Sequence, residues 1–163
     1  MVFHRRWLLI LALLILGGGQ VFAASREERA FAAAAAAFHD ELWGRAETQF
    51  TQFIQRYPES PRLAEAVLLT AQAQFKQGKY TAAIHSLTAS WANPGPLADQ
   101  FAYWLGEAQF AQGDFDHAAD TFAAFPEKFP ASPLALSAAV EAAAACERLG
   151  DWPRLAAVLK ATN

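Results

Sequence analysis

The sequence of 163 residues is almost without cysteine, since Cys146 is the only one. A single thiol cannot form a disulfide within the chain, and it does not supply the paired cysteines of redox motifs or of cysteine-rich zinc sites. Cys146 ends an alanine-rich run, residues 142–146, where a lone cysteine is typical of a small buried side chain. The fold must therefore rest on packing without a covalent cross-link.

The motifs of common chemistries are also missing. There is no glycine-rich phosphate loop and no recognisable Ser-His-Asp pattern. The densest ionisable group is Asp114, Asp116, His117 and Asp120. Helical spacing would allow a metal site there, but acidic residues are equally typical of a solvated helix start. We favour the second interpretation and predict a protein that is not an enzyme, with no catalytic residue, no metal and no cofactor.

An excess of positive charge is absent too, because 13 lysines and arginines face 16 acidic residues, for a net charge of −3. Without residues 1–23, which contain Arg5 and Arg6 and no acid, the balance becomes 11 against 16. Nucleic-acid binding needs a basic face, and anionic lipid surfaces attract basic segments. We predict no nucleic-acid partner and no attraction to a membrane surface.

No apolar run exceeds ten residues, and the longest lies near the amino terminus, where residues 7–16 follow two arginines. As a helix this run would span about 15 Å, half of the roughly 30 Å of a bilayer core. Three glycines and the string Val21-Phe22-Ala23 follow, which is typical of a signal peptidase site. We predict that residues 1–23 are a cleaved signal peptide rather than an anchor. Residues 24–163 would then be one periplasmic domain, with no lipidation site and no stable membrane insertion.

What the sequence does contain is a repeat. An aromatic residue recurs at intervals of 37, 35 and 37 residues, at Trp43, Tyr80, Phe115 and Trp152. Nine residues before it stands a small residue each time, at Ala34, Ala71, Gly106 and Ala143. This period and pattern are typical of a solenoid of two-helix units. We predict an all-α, right-handed α-solenoid of about 3.5 helix-turn-helix repeats.

Each repeat is predicted to contain helix A, a tight turn, helix B and a proline-marked exit. In the third repeat, helix A runs from about Leu97 to Gln112, and Gly113 ends it in a left-handed conformation. Asp114 caps helix B, which continues to Pro130. Gly78 and Gly150 repeat the turn, whereas the first repeat has Glu41-Leu42 and a less well specified turn.

Serine and proline mark the helix starts. Ser60 and Ser132 are predicted to cap the helices that follow, with Pro61 and Pro133 as their first residues. Ser25 and Glu28 match a capping box, so the chain should be helical almost from the predicted cleavage site.

These residues resemble the tetratricopeptide repeat, and the third copy matches it best through Trp104-Leu105-Gly106-Glu107, Gly113-Asp114-Phe115 and Pro130. The resemblance covers about residues 27–160. Residues 50–61 are similar to the periplasmic subgroup, which includes the Tol–Pal-associated division coordinator and the lipoprotein of the β-barrel assembly machine. The resemblance implies a non-catalytic adaptor. The lysines and asparagines with which some repeats grip carboxylates are absent from the corresponding positions.

In such a fold helix A lines a concave groove, and its face predicts the binding residues. Phe38, Phe75 and Phe110 share one position near the end of helix A. The full predicted protein-binding set is Phe38, Leu68, Gln72, Phe75, Tyr103, Glu107 and Phe110. The aromatic members fit a surface for an extended or helical segment, but they fit equally well a packed core between repeats.

The sequence thus predicts an exported adaptor that holds a segment of a cell-envelope protein in its groove. The alternative is a structural or self-associating module of a larger envelope assembly. Its motivation is residues 152–159, which are apolar on one face, although solenoids usually end in a polar capping helix. Self-association would then use this C-terminal helix.

Overall fold

The computed structural model describes residues 26–161, which form helices joined by short turns and contain no strand. Helix α1 runs from residue 26, the first residue that the structure describes, to residue 39. It is followed by α2 (Trp43–Arg56), α3 (Leu63–Lys76), α4 (Tyr80–Ala89), a 3₁₀ turn (Gly95–Leu97), α5 (Ala98–Gln112), α6 (Phe115–Ala123), α7 (Phe125–Lys128), α8 (Ala135–Leu149) and α9 (Trp152–Ala161). Within this range no helix has the length and hydropathy that a membrane crossing needs. The predicted signal peptide and Ser25 lie outside the described residues.

Helices that follow one another in the chain pack against one another, from α2 with α3 through to α8 with α9. The predicted all-helical solenoid is confirmed. Three core clusters lie between successive helices, and alanines make up much of each one. Small side chains let the backbones approach closely, so rings such as Phe50, Phe101 and Phe122 fill the remaining space and are fully buried.

The turns between helices A and B follow the prediction. Gly78, Gly113 and Gly150 all have a positive φ, of 73°, 88° and 71°. Asp114 accepts a hydrogen bond from the backbone N–H of His117 at 3.4 Å, as a capping residue does. In the first repeat, Glu41 takes the same left-handed conformation with φ 58°. A side chain there costs free energy that glycine avoids.

Glu41→Gly should therefore stabilise the protein, by about 0.5–1 kcal/mol in the free energy of unfolding, because relief of backbone strain exceeds the added chain entropy of glycine. Urea unfolding measures this change. Gly113→Ala is the matched control, since a Cβ there would meet no atom within 4 Å and only the backbone conformation is affected. It should destabilise the protein by about 1 kcal/mol. A Glu41→Gly variant that unfolds at lower urea than the wild type would contradict the prediction.

The prediction for Ser60 and Ser132 was wrong in detail. Helix α3 begins at Leu63 rather than at Pro61, and its capping position makes no side-chain hydrogen bond. The Ser60 hydroxyl accepts from the N–H of Arg62 at 3.1 Å, and it donates to Glu27 of α1 at 2.5 Å. Serine commonly bonds a nearby backbone N–H in such a local turn, and its hydroxyl proton remains available for the carboxylate.

Ser132 makes the same pair of bonds, one of them to Asp99 at 2.6 Å. Helix α8 correspondingly begins at Ala135, two residues after Pro133. Each serine thus ties the start of one helix A to the start of the previous one.

The prediction that helix B of the third repeat continues to Pro130 was wrong. Helix α6 ends at Ala123, and the short helix α7 follows it. Pro126 explains the break, because proline lacks the N–H that would bond the carbonyl four residues earlier and its ring clashes with that turn. Phe122 and Phe125 remain fully buried on either side of the break.

Candidate protein-binding groove

The three phenylalanines of the predicted stripe each pack on the repeated aromatic residue of their own turn. Phe38 lies 5.0 Å from Trp43, Phe75 5.4 Å from Tyr80 and Phe110 5.1 Å from Phe115, measured between ring centroids. All three stripe rings are half-buried. Edge-to-face and tilted pairs at this distance stabilise a fold beyond the area they bury. The rings therefore clamp helix A to helix B while keeping part of their surface accessible.

Phe75 has a second ring neighbour that the sequence did not indicate. Its centroid lies 5.4 Å from that of Trp104, which belongs to helix A of the next repeat. The structure shows no such ring contact for Phe38 or Phe110, and the three stripe rings do not contact one another among the described residues. Phe75 is thus the stripe member that connects two repeats.

Leu68 and Gln72 line a cavity of about 470 Å³ between α3 and the start of α5. The whole lining comprises Pro61, Ala64, Glu65, Leu68, Leu69, Gln72, Pro96, Leu97 and Gln100. Leu68 is only 3 % exposed and forms part of the floor, so little of it is available to a partner. The side-chain amides of Gln72 and Gln100 have no hydrogen-bond partner among the described residues.

Gln100 was missed at the sequence level, although its position could have revealed it. It precedes Tyr103 by three residues and Glu107 by seven, which is the spacing of one helix face. The cavity therefore combines an apolar floor with two amides that each offer donors and an acceptor.

Tyr103 and Glu107 form the polar part of the face on α5. The Tyr103 ring packs against Phe122 at 5.7 Å, and its hydroxyl and the Glu107 carboxylate lie close enough to affect each other's pKa. Burial, followed by the nearby negative charges of Glu107 and Glu141, raises the pKa of Tyr103 to about 12. The tyrosine is a neutral hydrogen-bond donor at physiological pH.

Burial raises the pKa of Glu107 above its ordinary value, and the charge of Glu141 on α8 adds to the effect. The Tyr103 hydroxyl and the more distant charge of Lys76 act in the opposite direction without cancelling it. No cation lies within ion-pairing distance of Glu107 or Glu141 among residues 26–161. The groove therefore contains a carboxylate whose charge is incompletely compensated.

Because folding raises the pKa of Glu107, its contribution to stability is fully present below the unfolded pKa and is lost as pH rises through the folded pKa. Glu107→Gln should therefore raise the melting temperature near pH 7, and this gain should disappear as the pH falls to about 4. Thermal melts across this range measure it. Glu59→Gln, on an exposed turn, is the control and should change little at either pH. A gain that is the same at both pH values would contradict the prediction.

The ionisable group at the start of α6 is used for structure. The His117 Nδ1 lies 2.8 Å from an Asp114 oxygen, and this carboxylate raises the pKa of the histidine. Arg154 of α9 pairs with Asp116 at 3.0 Å and also with Asp120. In the part of the chain that the structure describes, no three His, Cys, Asp or Glu residues are placed to hold a metal ion.

Cys146 is fully buried, and burial raises the pKa of its thiol. It therefore packs as a small apolar residue and remains a poor nucleophile.

Two family models match the sequence. Residues 68–133 match the tetratricopeptide repeat. The chain carries tetratricopeptide-type repeats. Residues 23–91 match a family described as outer membrane lipoprotein, which agrees with the predicted resemblance to the periplasmic subgroup. Tetratricopeptide repeats typically serve as non-catalytic scaffolds for protein–protein interaction, and the second match indicates the cell envelope.

The tetratricopeptide-type array also resembles solved structures. One is a crystal structure of nearly identical TPR-like repeats from a Podospora anserina protein described as a kinesin light chain. The TM-score is 0.65 at 19 % identity, over 83 % of this chain and 72 % of the other. At this identity the likeness concerns the fold alone. No curated protein sequence matches the chain.

Proposed function

We propose that this protein is a periplasmic adaptor that holds a segment of another cell-envelope protein against the face of its A helices. The observation that carries the proposal is the cavity between α3 and α5, where the amides of Gln72 and Gln100 lie beside an apolar floor and have no hydrogen-bond partner among residues 26–161. Unengaged amides beside apolar surface suit an extended peptide, whose backbone needs both donors and acceptors. The function requires no catalytic step.

The proposal of an envelope location rests on the match of residues 23–91 to an outer membrane lipoprotein family and on the signal-like residues 1–23. Mass spectrometry of the envelope fraction should find a mature chain that begins at Ala24, or at Ser25 if cleavage occurs one residue later. An intact Met1 in the membrane pellet would instead show an uncleaved anchor.

Site-specific photo-crosslinking in living cells tests the groove. A photoreactive amino acid at Gln72 or Gln100 should give one discrete adduct with an envelope protein. The same amino acid at Gln55, an exposed position on helix B of the first repeat, is the matched control and should not. Adducts of equal yield at all three positions, or at none, would count against the groove.

A specific observation supports the alternative, a self-associating module. Val140 of α8 stands three residues before the repeated small position of its repeat, as Phe31 and Leu68 do in theirs. Those two residues are 1 % and 3 % exposed, whereas Val140 is 59 % exposed. Leu136, also on α8, is exposed, and so is Trp152 at the start of α9 in the same repeat. Leu136 and Val140 stand one turn apart on α8, and exposed apolar side chains grouped on one helix face are typical of an interaction surface.

Sedimentation analysis separates the two functions. A self-associating module should form dimers or larger species that Val140→Asp dissociates. Thr51→Asp, at an exposed polar position of α2, is the control. A protein that stays monomeric at all concentrations would exclude the self-associating module and favour the adaptor.

A further inference from the structure

A second cavity, of about 450 Å³, lies between the second and third repeats. It is lined by Thr88, Trp91, Ala102, Leu105, Asp120, Thr121, Ala124, Phe125, Lys128 and Phe129. Helix α5 contributes Gln100 to the groove cavity but Ala102 and Leu105 to this one. Residues at these spacings point about 140–160° apart around a helix, so the two cavities open on different sides of the repeat stack.

The second cavity exists because helix B of the second repeat is short. Helix α4 has 10 residues, whereas α2 has 14. Eleven residues after the repeated aromatic, the first repeat has Ile54 within α2, half-buried and packed on two core clusters. The second repeat has Trp91 at that position, beyond the end of α4 and 38 % exposed. The missing helical turn leaves part of the third repeat uncovered, with Trp91 on the wall of the resulting cavity.

The walls of this cavity are largely apolar, and three of their polar side chains already have a partner. The Thr88 hydroxyl donates to a backbone carbonyl one turn earlier at 2.8 Å, and the Thr121 hydroxyl donates to a glutamine of α5 at 2.8 Å. Asp120 is paired with Arg154. Lys128 is exposed and forms no ion pair within the described part of the chain. The available charge at the cavity is therefore a single ammonium group.

We infer that this cavity binds a segment of a partner protein that presents a large apolar side chain next to an aspartate or glutamate. The apolar side chain enters between Trp91 and Phe129, and the neighbouring carboxylate pairs with Lys128. The cavity opens broadly to solvent, whereas sites for small molecules enclose about 70–90 % of the ligand surface. A side chain carried by a protein surface suits such an opening better than a free small molecule does. This site is separate from the groove and does not depend on it.

Two blocked tetrapeptides test the inference with the purified protein. One is acetyl-glycyl-glutamyl-tryptophyl-glycinamide, and the other replaces the glutamyl residue with a lysyl residue. At low salt the glutamyl peptide should bind about fivefold more tightly than the lysyl peptide. The glutamyl carboxylate forms one exposed ion pair with Lys128, whereas the lysyl ammonium group is repelled by it. Nuclear magnetic resonance titration measures both affinities and should show shifts at Leu105 and Thr121.

Charge reversal at the cavity supplies the decisive comparison. Lys128→Glu should reverse the preference between the two peptides, and Lys160→Glu, on an exposed part of α9, should leave it unchanged. Trp91→Ala should weaken both peptides by about tenfold, as an aromatic anchor does, whereas Leu42→Ala, at another exposed apolar position, should not. All four positions are exposed, so the variants should fold, and circular dichroism melts check this.

Several results would overturn the inference. Three results would show that no carboxylate–Lys128 pair forms: equal affinity for the two peptides, no binding of either peptide, or a preference that is unchanged in Lys128→Glu. Tighter binding of free indole-3-propionate than of the glutamyl peptide would show a small-molecule site instead of a docking site for a protein segment.

Discussion

Replacing Phe75 with alanine is expected to lower the free energy of unfolding by about 2–4 kcal/mol, near the lower part of the range for phenylalanine truncation because the ring is half-buried. The ring contacts Tyr80 of its own repeat and Trp104 of the next one, so its removal weakens both the helix pair and the junction between repeats. Urea unfolding measures the loss. Phe75→Tyr, which keeps the ring, should cost less than Phe75→Ala does.

Phe110→Ala is the matched comparison, because Phe110 occupies the same position but has one ring partner, Phe115, in the part of the chain that the structure describes. It should destabilise the protein less than Phe75→Ala does. These melts also decide between the two interpretations of the stripe. If Phe75→Ala leaves stability unchanged while abolishing crosslinks from Gln72, the ring serves binding and not packing. If stability falls as expected, the ring serves packing, and the contacts with the partner protein must be sought at the side-chain amides of Gln72 and Gln100.

The periodicity of the sequence predicts the helices well, because each repeat marks its own ends. Gly78, Gly113 and Gly150 end helices in the left-handed conformation, as their chemistry requires. The errors occur where a contact from another repeat or a proline overrides the repeated pattern. At Ser60, the acidic partner Glu27 comes from the preceding repeat, and no local pattern contains it. Pro126 interrupts a helix B whose buried phenylalanines continue on the same face.

The candidate site was harder to predict than the fold. Periodicity places Leu68 and Gln72 on one helix face but does not give the depth of either side chain, which depends on how closely the next repeat packs. Both line the cavity, but Leu68 is buried whereas Gln72 is half-buried. The second cavity was not predictable from the repeat, since it results from the shortened α4 and not from any repeated residue. Departures from a repeat therefore indicate its specific sites better than the repeated positions do.

Gly106 is a repeated small position at which an added methyl group would overlap a neighbouring side chain. A Cβ at this glycine would lie 2.6 Å from Cζ of Phe122 and within 2.8 Å of both of its ε carbons. Phe122 is fully buried and packs against Tyr103, so its ring cannot withdraw. Overpacking costs about 1–3 kcal/mol, and the better helix propensity of alanine offsets at most about 1 kcal/mol of it. Gly106→Ala should thus lower the melting temperature by about 2–6 °C.

Gly44→Ala is the matched control, since this glycine also lies within a helix but is exposed, and its Cβ would meet only Gln77 Oε1 at an ordinary 3.5 Å. It should raise stability by up to about 1 kcal/mol. A second test combines Gly106→Ala with Phe122→Leu, because the smaller side chain vacates the space that the new methyl group needs. The double variant should then be no less stable than Phe122→Leu alone, which is the signature of two side chains competing for one volume. Additive losses would show that Gly106 is required for a reason other than its contact with Phe122.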